Sequence, residues 1–254
     1  MPTTVEWLKL HIIQIRQLQQ SDGYHEDEDV FIYLGDYLDG NLTANETAVL
    51  IAAPVLDDYN QPTKLYRLMG LLCEALVELS DEREKLLNLL ESIQELPPGA
   101  INWAALPGLR REPIPEDKQA KVRQHYTSIG TVEANLYVRG LGGVTENWGY
   151  ELLNLACLRR PGLEVVVGEI HAWLTVAGTN LLKDLNPDEV RNWSRPLLGG
   201  QPGQQHVVQG TMAQHWETWR YTLLQVSEEQ PLLSAEARKL ARECYLLMQG
   251  HMYR

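Results

Sequence analysis

Cysteine, basic charge, metal-ligand spacing and long hydrophobic runs are all scarce in this 254-residue sequence, and each scarcity removes a class of function. The three cysteines, Cys73, Cys157 and Cys244, stand far apart with no CxxC pair. Neither a disulfide scaffold nor a cysteine zinc knuckle is expected, and a reducing, cytoplasmic setting fits. Against 34 acidic residues there are only 22 basic ones, a net charge of -12 that opposes docking on phosphate backbones or anionic lipid. No nucleic acid and no membrane partner is therefore expected. The seven histidines include no pair at helical i, i+4 spacing and no HExxH, so no metal site is expected. Glycines 140, 142 and 143 lack GxGxxG spacing, Gly199-Gly200 is not followed by Gly-Lys-Ser/Thr, and no G-x-S-x-G elbow occurs. Nothing calls for a nucleotide or other cofactor.

The uncharged apolar run Val49 to Leu56 contains Pro54 and falls far short of the roughly 20 residues that span a bilayer. Met1 to Gln20 carries Glu6, Lys9, His11 and Arg16 among apolar residues, the pattern of an amphipathic helix and not of a signal peptide. Such a helix allows a homodimer. The sequons at Asn41, Asn45 and Asn192 are read as chance, since no secretory route is expected. The acidic run from His25 to Asp29 is read as a solvated helix start, because adjacent helical residues point apart and cannot converge on a cation. Asp57-Asp58 is an acidic pair at the end of an apolar helix, as in terpene cyclases, but Tyr59, Asn60 and Gln61 leave its third acidic ligand missing.

What is present is helical periodicity. Apolar residues recur at three and four residue spacing almost everywhere, while strict alternation is hard to find. The expected fold is all-α: a single compact multi-helix domain over 1-254, with about eight to ten helices and no significant sheet. A subdivision into an N-terminal subdomain 1-97 and a helical body 98-254 is compatible with the stop at Pro97-Pro98-Gly99. Thr43-Ala-Asn-Glu46 is a capping-box pattern that starts a helix running to about Pro54. Thr63 to Leu79 and Ser80 to Leu96 read as two helices, the second capped by Ser80. Pro107, Gly108 and Pro113 mark a connector, followed by helices over Glu116 to Leu141, Thr145 to Leu158, Gly162 to Leu185, His206 to Val226 and Ser234 to about Gln249.

Two polar residues fall on apolar helical stripes. Val122, Tyr126, Ile129 and Leu136 or Tyr137 define a face that includes Glu133. Burial disfavours the charged form of a carboxyl group, which is one way to make a general acid. The alternative is that Glu133 pairs with an arginine such as Arg123, Arg139 or Arg220. Val208, Met212, Trp219, Leu223 and Val226 define a second face that includes His215, whose alternative role is a hydrogen-bonded core histidine. Seven Trp and eleven Tyr against one Phe suit a pocket for a part-polar organic ligand, and suit half-buried packing equally.

From Leu65 onward the chain carries Trp103 with Leu106-Pro-Gly-Leu109, Asn135-Leu-Tyr137, Ala172-Trp173 with Ala177-Gly178, Trp216-x-x-Trp219, and Leu233-Ser-x-Glu-Ala-Arg238 with Met248. In these pieces and their order it resembles a fungal family of small helical proteins, a domain of unknown function often linked to secondary-metabolite gene clusters and similar in outline to hetero-Diels-Alderases. It departs from the family in having Glu133 where an amide is expected, and in lacking a Leu-Arg run after Trp148. The resemblance implies a cofactor-independent cyclase or pericyclase acting on a hydrophobic polyketide or terpenoid intermediate. Such a step needs a shaped apolar pocket and one or two polar groups, without metal or nucleotide. In that reading Glu133 and His215 are the catalytic candidates, Tyr126, Tyr137 and Arg139 are donors to a developing oxyanion, and Trp148, Trp173 and Trp219 are walls. A non-catalytic helical protein-interaction module is the competing expectation, favoured if Glu133 and His215 end on protein partners within a filled core.

Overall fold

The computed structural model describes residues 3-22, 27-56, 61-96, 119-158, 162-196, 205-229 and 233-251. Among them are ten α-helices and one pair of strands, so the protein is mainly all-α. The chain forms two compact units, one of residues 1-111 with 141-143 and the other of residues 112-140 with 144-254. The expected connector lies outside the described residues, as do Asp57-Asp58 and the first two residues of the acidic run.

The first unit holds α1 (Thr4–Asp22), α2 (Asp27–Leu38), α3 (Ala44–Leu56), α4 (Gln61–Glu78) and α5 (Arg83–Gln94). The capping box read at Thr43 is formed: the Glu46 amide donates to Thr43 Oγ1 at 3.3 Å and the Thr43 amide to Glu46 Oε2 at 2.9 Å. The helix runs two residues past Pro54, which sits in its final turn. Ser80 does not cap the following helix. It opens a single 3-10 turn, Ser80–Glu82, and α5 starts at Arg83 with no side-chain cap, its acidic Glu84 complementing the helix dipole instead. Aliphatic stripes from α3 (Ala48, Ile51, Ala52, Val55), α4 (Leu72, Leu76) and α5 (Leu86, Leu90, Ile93) fill the core. Trp7 of α1 is buried against Phe31 and donates its indole N–H to Glu78 at 2.8 Å.

The second unit holds α6 (Gln119–Arg139), α7 (Glu146–Leu155) with a 3-10 turn Ala156–Leu158, α8 (Leu163–Asp184), β1 (Val190–Pro196), β2 (Gln205–Thr211), α9 (Met212–Glu228) and α10 (Ala235–His251). Helices α6 and α8 lie side by side and parallel, as the contacts Arg123 to Glu164, Thr127 to Gly168, Gly130 to Glu169 and Glu133 to Trp173 advance together along both. Glycine permits this approach, since a Cβ at Gly168 would meet Thr127 Oγ1 at 2.6 Å and one at Gly130 would meet the Glu169 carbonyl at 2.8 Å. Leu163 and Val167 of α8 pack with Val226, Leu233, Ala237 and Ala241 to join α9 and α10. By length and composition α8 could cross a membrane, but most of it is buried inside the protein, as in the core helix of a globular fold.

The strand pair corrects the helix expected from His206. Residues 205-211 instead form β2, antiparallel to β1 in the register Val190↔Thr211 through Trp193↔Val208 to Pro196↔Gln205, and α9 starts at Met212. Its start is a capping box on Thr211 and Gln214, with bonds of 3.3 and 2.9 Å. Arg191, Trp193 and Arg195 turn to the inner, half-buried face of β1, while Val190, Asn192 and Ser194 are exposed. An inward face with two arginines does not read as an apolar alternation.

Candidate functional site

The sequence candidates assemble into two groups within the second unit. At the α6/α8 seam Glu133 is 1% exposed, and its Oε2 accepts the Trp173 indole N–H at 3.0 Å. An indole is thus one partner of this carboxylate. Tyr137, one turn further along α6, stacks on Trp173 with ring centroids 5.8 Å apart and donates its hydroxyl to Asp184 at the end of α8. Burial and the bond to Asp184 push the Tyr137 phenol well above the usual tyrosine range. Gly149 of α7 lets the Trp173 ring approach, since a Cβ there would lie 3.0 Å from it.

The second group is built where the hairpin meets α7 and α9. His215, in the first turn of α9, is 1% exposed and stacks on Trp219, with Trp193 of β1 edge-on to both rings. Arg195 Nη2 lies 2.8 Å from His215 Nδ1, and the Arg191 carbonyl lies 3.0 Å from Nε2. A guanidinium only donates, so Nδ1 is the acceptor and Nε2 carries the hydrogen. The ring is a neutral imidazole with both nitrogens used. Burial lowers its pKa, the Arg195 charge adds to this, and the backbone bonds at Arg191 and Gly210 oppose it. Asn154 of α7 ties the group together: its Oδ1 accepts the Trp219 indole N–H at 3.2 Å and its Nδ2 donates to the Ser194 carbonyl at 3.0 Å. Tyr150 stacks on Trp219 and bonds the Leu181 carbonyl at 2.8 Å, while Arg191 lies over the Tyr150 ring and bonds Asn147.

Of the eight candidates, the structure therefore joins Glu133, Tyr137 and Trp173 in one group and His215 and Trp219 in the other. Tyr126 is half-buried and edge-on to His125, two turns before Glu133 on α6, and Arg139 is half-buried in the last turn of that helix. Trp148 is half-buried in the first turn of α7 and has no ring contact or hydrogen bond to either group. Sequence reasoning missed Tyr150, Asn154, Arg191 and Arg195. The alternation Arg191-x-Trp193-x-Arg195 is the signal that places three of the contacting side chains on one strand face.

A surface groove of ≈ 330 Å³ between the end of α9 and the start of α10 is lined by Ser227, Glu228, Ala235, Arg238, Lys239 and Arg242, and includes none of the eight candidates. Among the described residues no group of three or more His, Cys, Asp or Glu side chains converges as a metal site. The buried Cys73 thiol is pushed up to about 11, chiefly by burial and then by Glu74, which leaves it a poor nucleophile. Comparisons with protein-family models, with curated proteins and with solved structures return no match to this chain.

Proposed function

We propose that this chain is a non-catalytic, mainly helical module of the cytoplasm that acts by binding a protein partner. The observation that carries this reading is the use of the polar candidates within the fold: both nitrogens of His215 are bonded inside the protein, and Glu133 holds the Trp173 indole from a position 1% exposed. A catalytic acid must reach the substrate atom that it protonates, and a side chain closed off by its own fold does not. Support for a partner comes from α1, where Val5, Leu10 and Ile13 are each more than half exposed. On an ideal helix they share about 140° of arc with the exposed Glu6 and Lys9, a mixed apolar and charged surface such as a non-obligate interface uses.

The test is native mass spectrometry of the full chain recovered from its host, beside a Leu10→Glu, Ile13→Glu double variant. A stoichiometric protein companion that the double variant loses, with its helical circular dichroism unchanged, is the expected result. Recovery of the chain alone, or of a companion indifferent to the variant, removes the α1 flank from the reading.

Cofactor-free cyclisation of a hydrophobic polyketide or terpenoid intermediate is the second reading, favoured by the gathering of Glu133, Tyr137 and Trp173 at one seam. Its substrate would be a small hydrophobic organic molecule, with Glu133 assisting loss of water and Tyr137 donating to a developing oxyanion. A bound apolar metabolite in the same mass spectra would support it. Glu133→Gln is then expected to lower turnover at least tenfold, by losing a transferable proton, with the fold intact. Unchanged turnover takes Glu133 out of the mechanism.

A further inference from the structure

We propose that the β1/β2 hairpin is an acid-released clasp, held shut by neutral His215 and freed when that ring is protonated. A two-stranded hairpin is marginal by itself in water, so this one depends on what it docks against. Beside the Asn154 bond to the Ser194 carbonyl, the Arg191 bond to Asn147 and the Trp193 contact with Trp219, one side chain of α9 touches both strands. His215 takes a hydrogen bond from Arg195 and gives one to the Arg191 carbonyl, both on β1, and its ring lies against Gly210 of β2, where a Cβ would come 3.3 Å from Nε2. The same ring packs against both Trp193 of the hairpin and Trp219 of α9, which also touch each other edge-on.

Protonation removes the one acceptor that Arg195 uses on this ring. Nδ1–H then faces a guanidinium nitrogen at 2.8 Å, donor against donor and cation against cation. The fallback for Arg195 is Asn154 Oδ1, 3.5 Å from its Nε and already accepting from Trp219. The charges around the ring offer no compensation. On β1, Arg191 is bonded to Glu189, with Glu146 of α7 also acting on it, and Arg195 is the charge that acts on His215 itself. On β2 the ionisable residue is His206, exposed and opposite Arg195 in the register. On α7 the facing groups are the Tyr150 phenol, held protonated by burial, and neutral Asn154. On α9, Glu217 is bonded to Arg220. The proton therefore favours the open hairpin, and the linkage has a definite sign. His215 has a lowered pKa when docked, so opening becomes easier as pH falls below the ordinary histidine value of about 6.5 and saturates once the docked ring is itself protonated. This inference depends on neither functional reading above.

The experiment is hydrogen–deuterium exchange of the full chain from pH 7.5 to 5, corrected for intrinsic exchange, with α8 peptides as an internal reference. Protection of peptides over 190-196 and 205-211 is expected to fall about tenfold per pH unit below about 6.5, the slope of one linked proton, while α8 protection holds. Arg195→Gln should flatten that slope, because an amide can turn its oxygen to accept from Nδ1–H and brings no charge. His215→Gln should abolish it, and His206→Gln should leave it intact. Equal loss in the hairpin and α8, a hairpin indifferent to pH, or a slope lost in His206→Gln would overturn the clasp. Should His215→Gln fail to fold, the contrast between Arg195→Gln and His206→Gln still decides.

Discussion

In the unit of residues 1-111 with 141-143, the buried side chains among the described residues are aliphatic, aromatic or sulfur-bearing (Met69 and Cys73), with Thr47 as their polar member, satisfied by the Thr43 carbonyl at 2.8 Å. The unit of residues 112-140 with 144-254 also buries Ser128, Glu133, Asn154, Glu169, His215 and Arg220. The first is specified by volume and the second by volume plus hydrogen-bond geometry. An apolar core tolerates a change of shape that keeps its volume, whereas a buried polar network carries a penalty for each partner removed. The candidate chemistry and the proposed acid-released clasp both lie in the second unit for that reason.

Trp219→Ala should break the contrast most strongly. It removes a fully buried ring that stacks on Tyr150 and His215 and takes from the Asn154 oxygen the shorter of its two bonds, a loss of about 3–5 kcal/mol. Denaturant titration followed by exchange in α7 and α9 peptides should show that loss, with α4 and α5 peptides unaffected; an equal loss in both units would mean that they unfold as one. Gly130→Ala comes next. Its Cβ is driven against the Glu169 backbone at 2.8 Å, forcing α6 from α8 at about 1–3 kcal/mol, which a fall in melting temperature would report.

Thr43→Ala and Thr211→Ala each remove one capping box, and about 1 kcal/mol is expected from either by chemical denaturation. The comparison is sharpened if the Thr211 variant also weakens the hairpin, since that cap lies at the junction of β2 and α9. Smallest is Gly70→Ala on the exposed side of α4, where a Cβ meets nothing within 4 Å. Here the same substitution that damages Gly130 should stabilise, by up to about 1 kcal/mol, because only the helical propensity of the residue changes. A Gly70→Ala variant that melts lower would contradict an open site there.

The positions of Glu133 and His215 on buried faces were legible because a stripe at helical spacing names every residue it contains, polar or not. Their partners were not. Trp173 lies forty residues from Glu133, and no local pattern says that an indole will meet that carboxylate. The hairpin escaped for a different reason. Its inward residues are Arg191, Trp193 and Arg195, so the period of two is carried by side chains that a hydrophobicity pattern scores as polar, and the stripe from Met212 extends backwards through Val208 by coincidence of spacing. The T-x-x-Q signature at Thr211 to Gln214 was the available sign that the helix starts later.

By itself, the sequence determined that this protein is mainly helical and where most helices begin and end, because periodicity and capping act within a few residues. Only the tertiary structure decided what the buried polar groups are for. Contacts across twenty to forty residues set whether a carboxylate or an imidazole faces a substrate or another part of the fold, and here Trp173, Arg191 and Arg195 stand in those places.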